Sequence, residues 1–352
     1  MQRTNVYLFL ILAGLLFIIA AVIFWYSHSA STLRAADSDF SLEPSLDILR
    51  IEIFSNPDNK EVVMEKDEQD RWILNNRYYA NDLAIQQLID ISNRLQVRSP
   101  VSLENRSQVE EMLNNQGVAV IFYVQAYRIH LGDLKLFPYR RAYQSFIVGE
   151  DTPDGMSTYM RKAGSQIPFR VHVPALESGI AFLFDPDEKE WRDPVIIDMP
   201  RNQISSITIR DFENPDDSYR LIRENADGFV FYHLNDNEKM TGLDVDSLRL
   251  ERFLQSFSDI HYETLLDDQQ EQERKKLMFE QPFMEVAVKN RGGMEVSFTA
   301  FARTMPEGDD VLAGEGIRDP HRFYIRINEE EFALAQYYVF SRILRPISFF
   351  DN

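Results

Sequence analysis

The chain has 352 residues, 44% of them apolar and 26% charged, which suits roughly two globular domains and argues against wholesale disorder. Its formal charge of −19 gives a surface that repels phosphate backbones, excluding a general nucleic-acid role. It contains no cysteine, which removes disulfides, thiolate metal sites, cysteine nucleophiles and lipid attachment to an N-terminal Cys.

The first element is an uncharged run, VYLFLILAGLLFIIAAVIFWY, over residues 6–26. As a helix it spans about 30 Å, the hydrocarbon thickness of a bilayer. Tyr7 at one end and Trp25 and Tyr26 at the other suit the two membrane interfaces. Arg3 and the free amine precede the run, and the residues just after it are uncharged before Arg34. The positive-inside rule therefore predicts residues 1–5 in the cytoplasm, a single transmembrane helix over 6–26, and the body on the periplasmic side of a bacterial inner membrane. A cleaved signal peptide is the rival reading, although its apolar region would be shorter. Residues 27–44 read as a linker; the part through residue 40, fully extended, reaches at most about 50 Å.

Beyond the linker the sequence repeats itself. Ile51-Glu52-Ile53-Phe54-Ser55-Asn56-Pro57-Asp58 agrees with Ile209-Arg210-Asp211-Phe212-Glu213-Asn214-Pro215-Asp216 at Ile, Phe, Asn, Pro and Asp. Asn-Pro-Asp is turn chemistry, and in both places it is followed by two short strand patterns, 61–64 with 71–74 and 219–222 with 228–231. A helix follows each: Ile85, Leu88, Ile89, Ser92 and Leu95 share one stripe, as do Leu250, Phe253, Leu254 and Phe257. Asn81 or Asp82, and Asp244, are the expected N-caps. A polar helical stretch (106–115; 269–279) then leads to strands (117–124 and 128–131; 283–289 and 294–301), a long loop, an alternating strand (169–173; 323–327) and an apolar helical piece (175–184; 330–340). The expected fold is α+β: a transmembrane helix and two duplicated units, 45–199 and 200–352, each a mainly antiparallel sheet with packed helices.

The chemistry is sparse. The six histidines include no i, i+4 pair and no His-Glu-x-x-His, so no helical zinc site is expected. There is neither a phosphate loop nor a Gly-x-Ser-x-Gly elbow. Asp151-Thr152-Pro153-Asp154-Gly155 lacks the acidic spacing of a calcium loop and reads as a turn. No catalytic residue, metal or cofactor is expected, and an envelope hydrolase has no residues to carry it. The two long loops are the better candidates for interaction, because loops of this length are often binding elements. Their candidate residues are Gly149, Asp151, Asp154 and Tyr159 in the first, and Arg303, Glu307, Asp309, Asp310 and Arg318 in the second.

Several stretches resemble a known family: WILNNRYYA (72–80) with the helix after it, VRSPV (97–101), Val148-Gly149 with Thr158-Tyr159-Met160, PFRVHVP (168–174) and Glu190-Trp191-Arg192-Asp193. The chain is similar there to the DUF4340 domain family, in the form found in Bacteroidetes, over most of residues 45–225. The resemblance implies a short N-terminal anchor and a periplasmic body. It names no catalytic residues. Some relatives lie near genes for gliding-type ABC transporters, which implies an accessory role. The expected function is thus a non-enzymatic accessory or scaffold protein of an envelope assembly, with the lipid bilayer and envelope proteins as partners. The alternative is a periplasmic module holding a polymer or lipid between its two domains.

Overall fold

A computed structural model describes Ile19 and residues 37–55, 57, 59–131, 134–174, 176–225, 228–266, 270–305 and 317–351. No helix among the described residues is long and apolar enough to cross a membrane. The expected transmembrane helix and its interface residues Arg3, Tyr7, Trp25 and Tyr26 lie outside them. The chain divides into two compact units, residues 1–193 and 194–352. Both are mixed α/β units built on a mainly antiparallel sheet.

In the first unit the elements are β1 (Ile48–Ser55), β2 (Lys60–Lys66), β3 (Trp72–Leu74), β4 (Tyr78–Tyr79), α1 (Asp82–Ser92), β5 (Gln96–Pro100), α2 (Leu103–Gln116), β6 (Val118–Leu131), β7 (Leu134–Asp151), β8 (Thr158–Lys162), β9 (Phe169–His172), a 3-10 turn (Ala181–Phe184) and α3 (Glu188–Trp191). The sheet runs β4-β3-β2-β1-β6-β7-β8-β9-β5. Alternate residues of the central strands point into one core: Ile51 and Ile53 of β1, and Val120 and Phe122 of β6. This is the period-two burial of a sheet with one packed face. Helix α1 covers that face with Ile85, Leu88 and Ile91. It returns the chain from the β4 edge to β5 at the opposite edge. Asn81 caps it, its side chain accepting from the Ala84 amide at 3.2 Å.

The second unit contains β10 (Val195–Asp198), β11 (Ile204–Asp211), β12 (Tyr219–Arg223), β13 (Phe229–His233), α4 (Ser247–Gln255), β14 (Ser258–His261), β15 (Thr264–Leu265), α5 (Glu271–Leu277), β16 (Met284–Asn290), β17 (Glu295–Thr304), β18 (Arg318–Ile327), β19 (Glu331–Gln336), α6 (Tyr337–Phe340) and a 3-10 turn (Ile347–Phe350). Its main sheet runs β13-β12-β11-β16-β17-β18-β19-β15. From β3 onward this is the strand order of the first sheet. Its separate core centres on Phe253, Phe257, Phe298, Phe323, Phe340 and Phe350. Edge-to-face rings dominate there, for example Phe298–Phe340 at 5.1 Å and 85°, the geometry aromatic quadrupoles favour.

The structure differs from the sequence expectations at several points. The units part at Asp193/Pro194, rather than at 199/200, because β10 pairs with β14 of the second unit and the Met199 amide bonds Phe257 O. Helix α4 is capped by Asp246, which accepts from the amides of Leu248 and Arg249, instead of by Asp244. Residues 331–336, expected as helix, form β19, paired to β18 from Ile327↔Glu331 to Arg322↔Gln336; only Tyr337–Phe340 is helical. Of the described residues in the 175–184 stretch, only Ala181–Phe184 form a turn of 3-10 helix. The long loop at 149–168 contains β8. Hence Phe169–His172 occupies the place of β19 in the sheet order, and not the place of 323–327. A register shift at the start of the first strand falls between Ile48 and Arg50 in one unit and between Ile204 and Ser206 in the other. Aligning the sheets there differs by two residues from aligning the Asn-Pro-Asp turns.

Candidate functional site

The candidate residues that are described gather where β7 meets β8 in the first unit and where β17 meets β18, their counterparts in sheet order, in the second. In the first unit β7 ends at Asp151 and turns back into β8. The Thr152 amide donates to Ser157 O at 2.7 Å, and the Gly155 amide donates to Thr152 O at 2.7 Å. Gly155 has φ +68°, a left-handed conformation that glycine adopts without penalty. The buried Thr152 hydroxyl bonds Asp154 Oδ1 at 2.6 Å. With the Met156 amide and an ion pair to Arg170 on β9, it brings the Asp154 carboxyl down to about 2. Asp151 is held as tightly. It accepts from Thr158 Oγ1 at 2.6 Å and from the Ala181 amide at 3.2 Å. Thr158 Oγ1 in turn accepts from the Ile180 amide at 2.8 Å. This ties the β7–β8 hairpin to the segment leading into the 3-10 turn. Gly179 lies against Asp151 so closely that a Cβ there would fall 2.0 Å from the carboxyl carbon.

Beside this turn is a cleft of about 380 Å³ lined by Thr152, Pro153, Asp154, Tyr159 and Arg170 on one side and by residues 99–102 with Asn105 on the other. Tyr159 packs on the small cluster of Val101, Val109 and Leu113 that seats α2. The cleft therefore sits where the N-terminal turn of α2 meets β8 and β9. It presents a guanidinium, a phenol and small polar side chains, a set suited to hydrogen-bonding a polar ligand or peptide. The Nε of Arg170 is buried and has no hydrogen-bond partner among the described residues. Of the four sequence candidates here, Asp154 and Tyr159 line the cleft. Gly149 and Asp151 do not line it; a Cβ on Gly149 would meet Leu113 Cδ2 at 2.7 Å, so its absence lets α2 pack on β7. Sequence reasoning missed Arg170, Ser102 and Asn105. The signal for Arg170 was its polar side chain at an outward position of the alternating Phe169–His172 strand.

In the second unit β17 and β18 meet at the equivalent corner. Asp319 is only 5% exposed and forms an ion pair with Arg303. Burial pushes its carboxyl up. The amides of His321 at 2.8 Å and Arg322 at 3.0 Å, together with Arg303, pull harder, so it stays below its ordinary value. Arg318 lies 4.3 Å over the Phe283 ring. It donates to Glu213 Oε1 at 3.0 Å and to the Tyr337 hydroxyl at 2.9 and 3.1 Å. Glu213 belongs to the repeated segment before Asn214-Pro215-Asp216. Burial raises the Tyr337 phenol above its usual range, against the pull of Arg318. Arg318, Asp319, Pro320 and Tyr337 line a second cleft of about 340 Å³. Arg303 and Arg318 are thus brought to one corner, while Glu307, Asp309 and Asp310 lie outside the described residues. No group of three or more His, Asp or Glu side chains placed to hold a metal occurs among the described residues.

Fold and corners together define a class: an acidic two-unit α/β protein with a cleft beside the β7–β8 corner of the first sheet and another beside the β17–β18 corner of the second. Residues 72–272 match the domain of unknown function DUF4340, and the chain belongs to that family. The matched span begins at β3 and crosses the boundary between the units. No curated protein and no solved structure matches the chain.

Proposed function

We propose that the chain is a single-pass, membrane-tethered accessory or scaffold protein of a bacterial envelope assembly, non-enzymatic, with its body in the periplasm. The observation that carries this reading is the uncharged run of bilayer length at residues 6–26, preceded by Arg3 and bounded by aromatic residues. The corner chemistry agrees with it. The Asp151, Asp154 and Asp319 carboxylates are occupied in holding turns and ion pairs, which favours docking surfaces over acid–base chemistry. Association with an ABC transporter, and a Bacteroidetes setting, follow from the family resemblance alone. We also infer that the two units descend from one by duplication; the shared strand order and the repeated Asn-Pro-Asp segment support this. Purification of the full chain in mild detergent tests the assembly. An envelope protein recovered at fixed stoichiometry, and lost with Arg170→Ala or Arg318→Ala, is the expected outcome. A chain that emerges alone and monomeric under several conditions contradicts it.

A further inference from the structure

Strands β6 and β7 outrun their neighbours. β6 pairs with β1 only as far as Ile48↔Val124, and β7 pairs with β8 only from Phe146↔Lys162. Between those limits the two strands pair with each other alone, out to Leu131↔Leu134. The free part is a two-stranded ribbon about 25 Å long at 3.4 Å per residue. An isolated ribbon of this kind is marginal in water unless something covers it.

Its side chains sort by face, because directly opposed residues share a face. Tyr127 stands opposite Pro138 and Ile129 opposite Leu136, with Leu134 continuing that face. The other face carries Arg128, Phe137, Tyr139 and Arg141. Leu134 is 53% exposed and Phe137 63%. The charge of this segment is opposite to that of the chain. Residues 125–144 contain Arg128, Lys135, Arg140 and Arg141 against Asp133, so +4 and −1 give +3, in a chain of −19. Arg140 is paired with Glu65, whereas Arg128 and Arg141 make no ion pair among the described residues.

The chain enters the first unit at the base of this ribbon. Gln144 on β7 donates through Nε2 to Asp39 O at 3.1 Å and to Ser41 O at 2.9 Å. The intervening Phe40 is buried against Phe146 at 6.0 Å. Residues 27–38, which separate this point from the apolar run, reach about 40 Å at full extension. Ribbon and tether therefore start from one place and have comparable reach.

We propose that the β6–β7 ribbon is a second membrane contact, which lies on the anionic lipid surface of the membrane holding the N-terminal run. The inference rests on the membrane tether proposed above. The face of Ile129, Leu134 and Leu136 would enter the headgroup boundary, and Arg128 and Arg141, whose long side chains start on the other face, would reach round the narrow ribbon to lipid phosphate. The ribbon would thereby fix the height and tilt of the first unit, which a flexible tether alone leaves free.

The chain has no native cysteine, so one introduced thiol gives a unique label. The full-length protein carrying Leu134→Cys with an environment-sensitive fluorophore is reconstituted into vesicles of phosphatidylglycerol with phosphatidylcholine, and of phosphatidylcholine alone. Spin-labelled lipids serve as quenchers, and a label at Leu248, exposed on α4, serves as the reference. The proposal expects quenching of the Leu134 label in the anionic vesicles well above the reference. Arg128→Gln and Arg141→Gln each lower the ratio of bound to free ribbon about fivefold. A chain that floats with the vesicles while its Leu134 label stays in water overturns the ribbon contact and leaves the tether standing. Shielding that depends on protein concentration and not on lipid charge overturns it in favour of a second copy of the chain. A chain that does not float with vesicles overturns the tether and the ribbon contact together.

Discussion

Asp319 and Asp154 show how differently two paired aspartates can act. Asp319 is buried, and Asp319→Ala would leave Arg303 largely enclosed without its counter-ion. Loss of one partner of a buried pair costs about 3–5 kcal/mol, and chemical denaturation of the second unit should show a loss of this size. Because the folded carboxyl lies below its ordinary value of 3.8, its stabilisation is fully present above that value. It is lost as pH falls through the folded value. The gap between the wild type and Asp319→Asn should therefore shrink in acid. Asp154 sits at the surface and organises a turn. Its carboxyl should titrate near 2 by NMR. Both Thr152→Val and Arg170→Ala should move the midpoint up towards 3.8, since each removes a group that stabilises the anion. An unchanged midpoint in both variants would mean that neither contact forms in solution.

At the scale of elements, much was legible. The 3-and-4 spacing of Ile85 and Leu88 placed α1, and Asn81 proved to be its cap. The helix makes a clean comparison. Asn81→Ala should cost about 1 kcal/mol through the lost cap, and Leu88→Ala about 2–5 kcal/mol through its cavity. Leu83→Ala, at a position 83% exposed on the same helix, should be nearly neutral. Equal losses at Leu83 and Leu88 would mean that the wrong face is buried. Other elements were hidden for physical reasons. Residues 331–336 read EFALAQ, a composition rich in helix formers, yet pairing on both sides, with β18 and β15, makes them a strand; tertiary context overrides a weak propensity. Thr158–Lys162 is short and follows a Gly-containing turn, so it merged with the loop before it. The same omission hid the cleft. Tyr159 and Arg170 belong together only once β8 and β9 are known to be neighbours, at Tyr159↔Arg170. The Asp319 pair was hidden differently: nothing in Arg-Asp-Pro signals that this aspartate is buried.

Over the whole molecule, each unit has a core made from its own residues and a main sheet built from its own strands. Residues 37–193 and 194–352 should each fold when expressed alone, and the two-unit body should unfold in two transitions. Asp319→Ala should shift one of them and Leu88→Ala the other. A single transition moved as a whole by either substitution would require strong coupling between the units. The family match runs from residue 72 of the first unit to residue 272 of the second, across their boundary.

The central claim, a membrane-tethered periplasmic body, is tested most directly by topology. The cysteine-free chain accepts Gln2→Cys or Leu248→Cys as a single thiol for a maleimide that crosses the outer but not the inner membrane. The account predicts that Leu248→Cys is labelled in intact cells, that Gln2→Cys is labelled only after lysis, and that both remain in the membrane fraction through a carbonate wash. A body that reacts only after lysis, or a chain released into the soluble fraction, would contradict it.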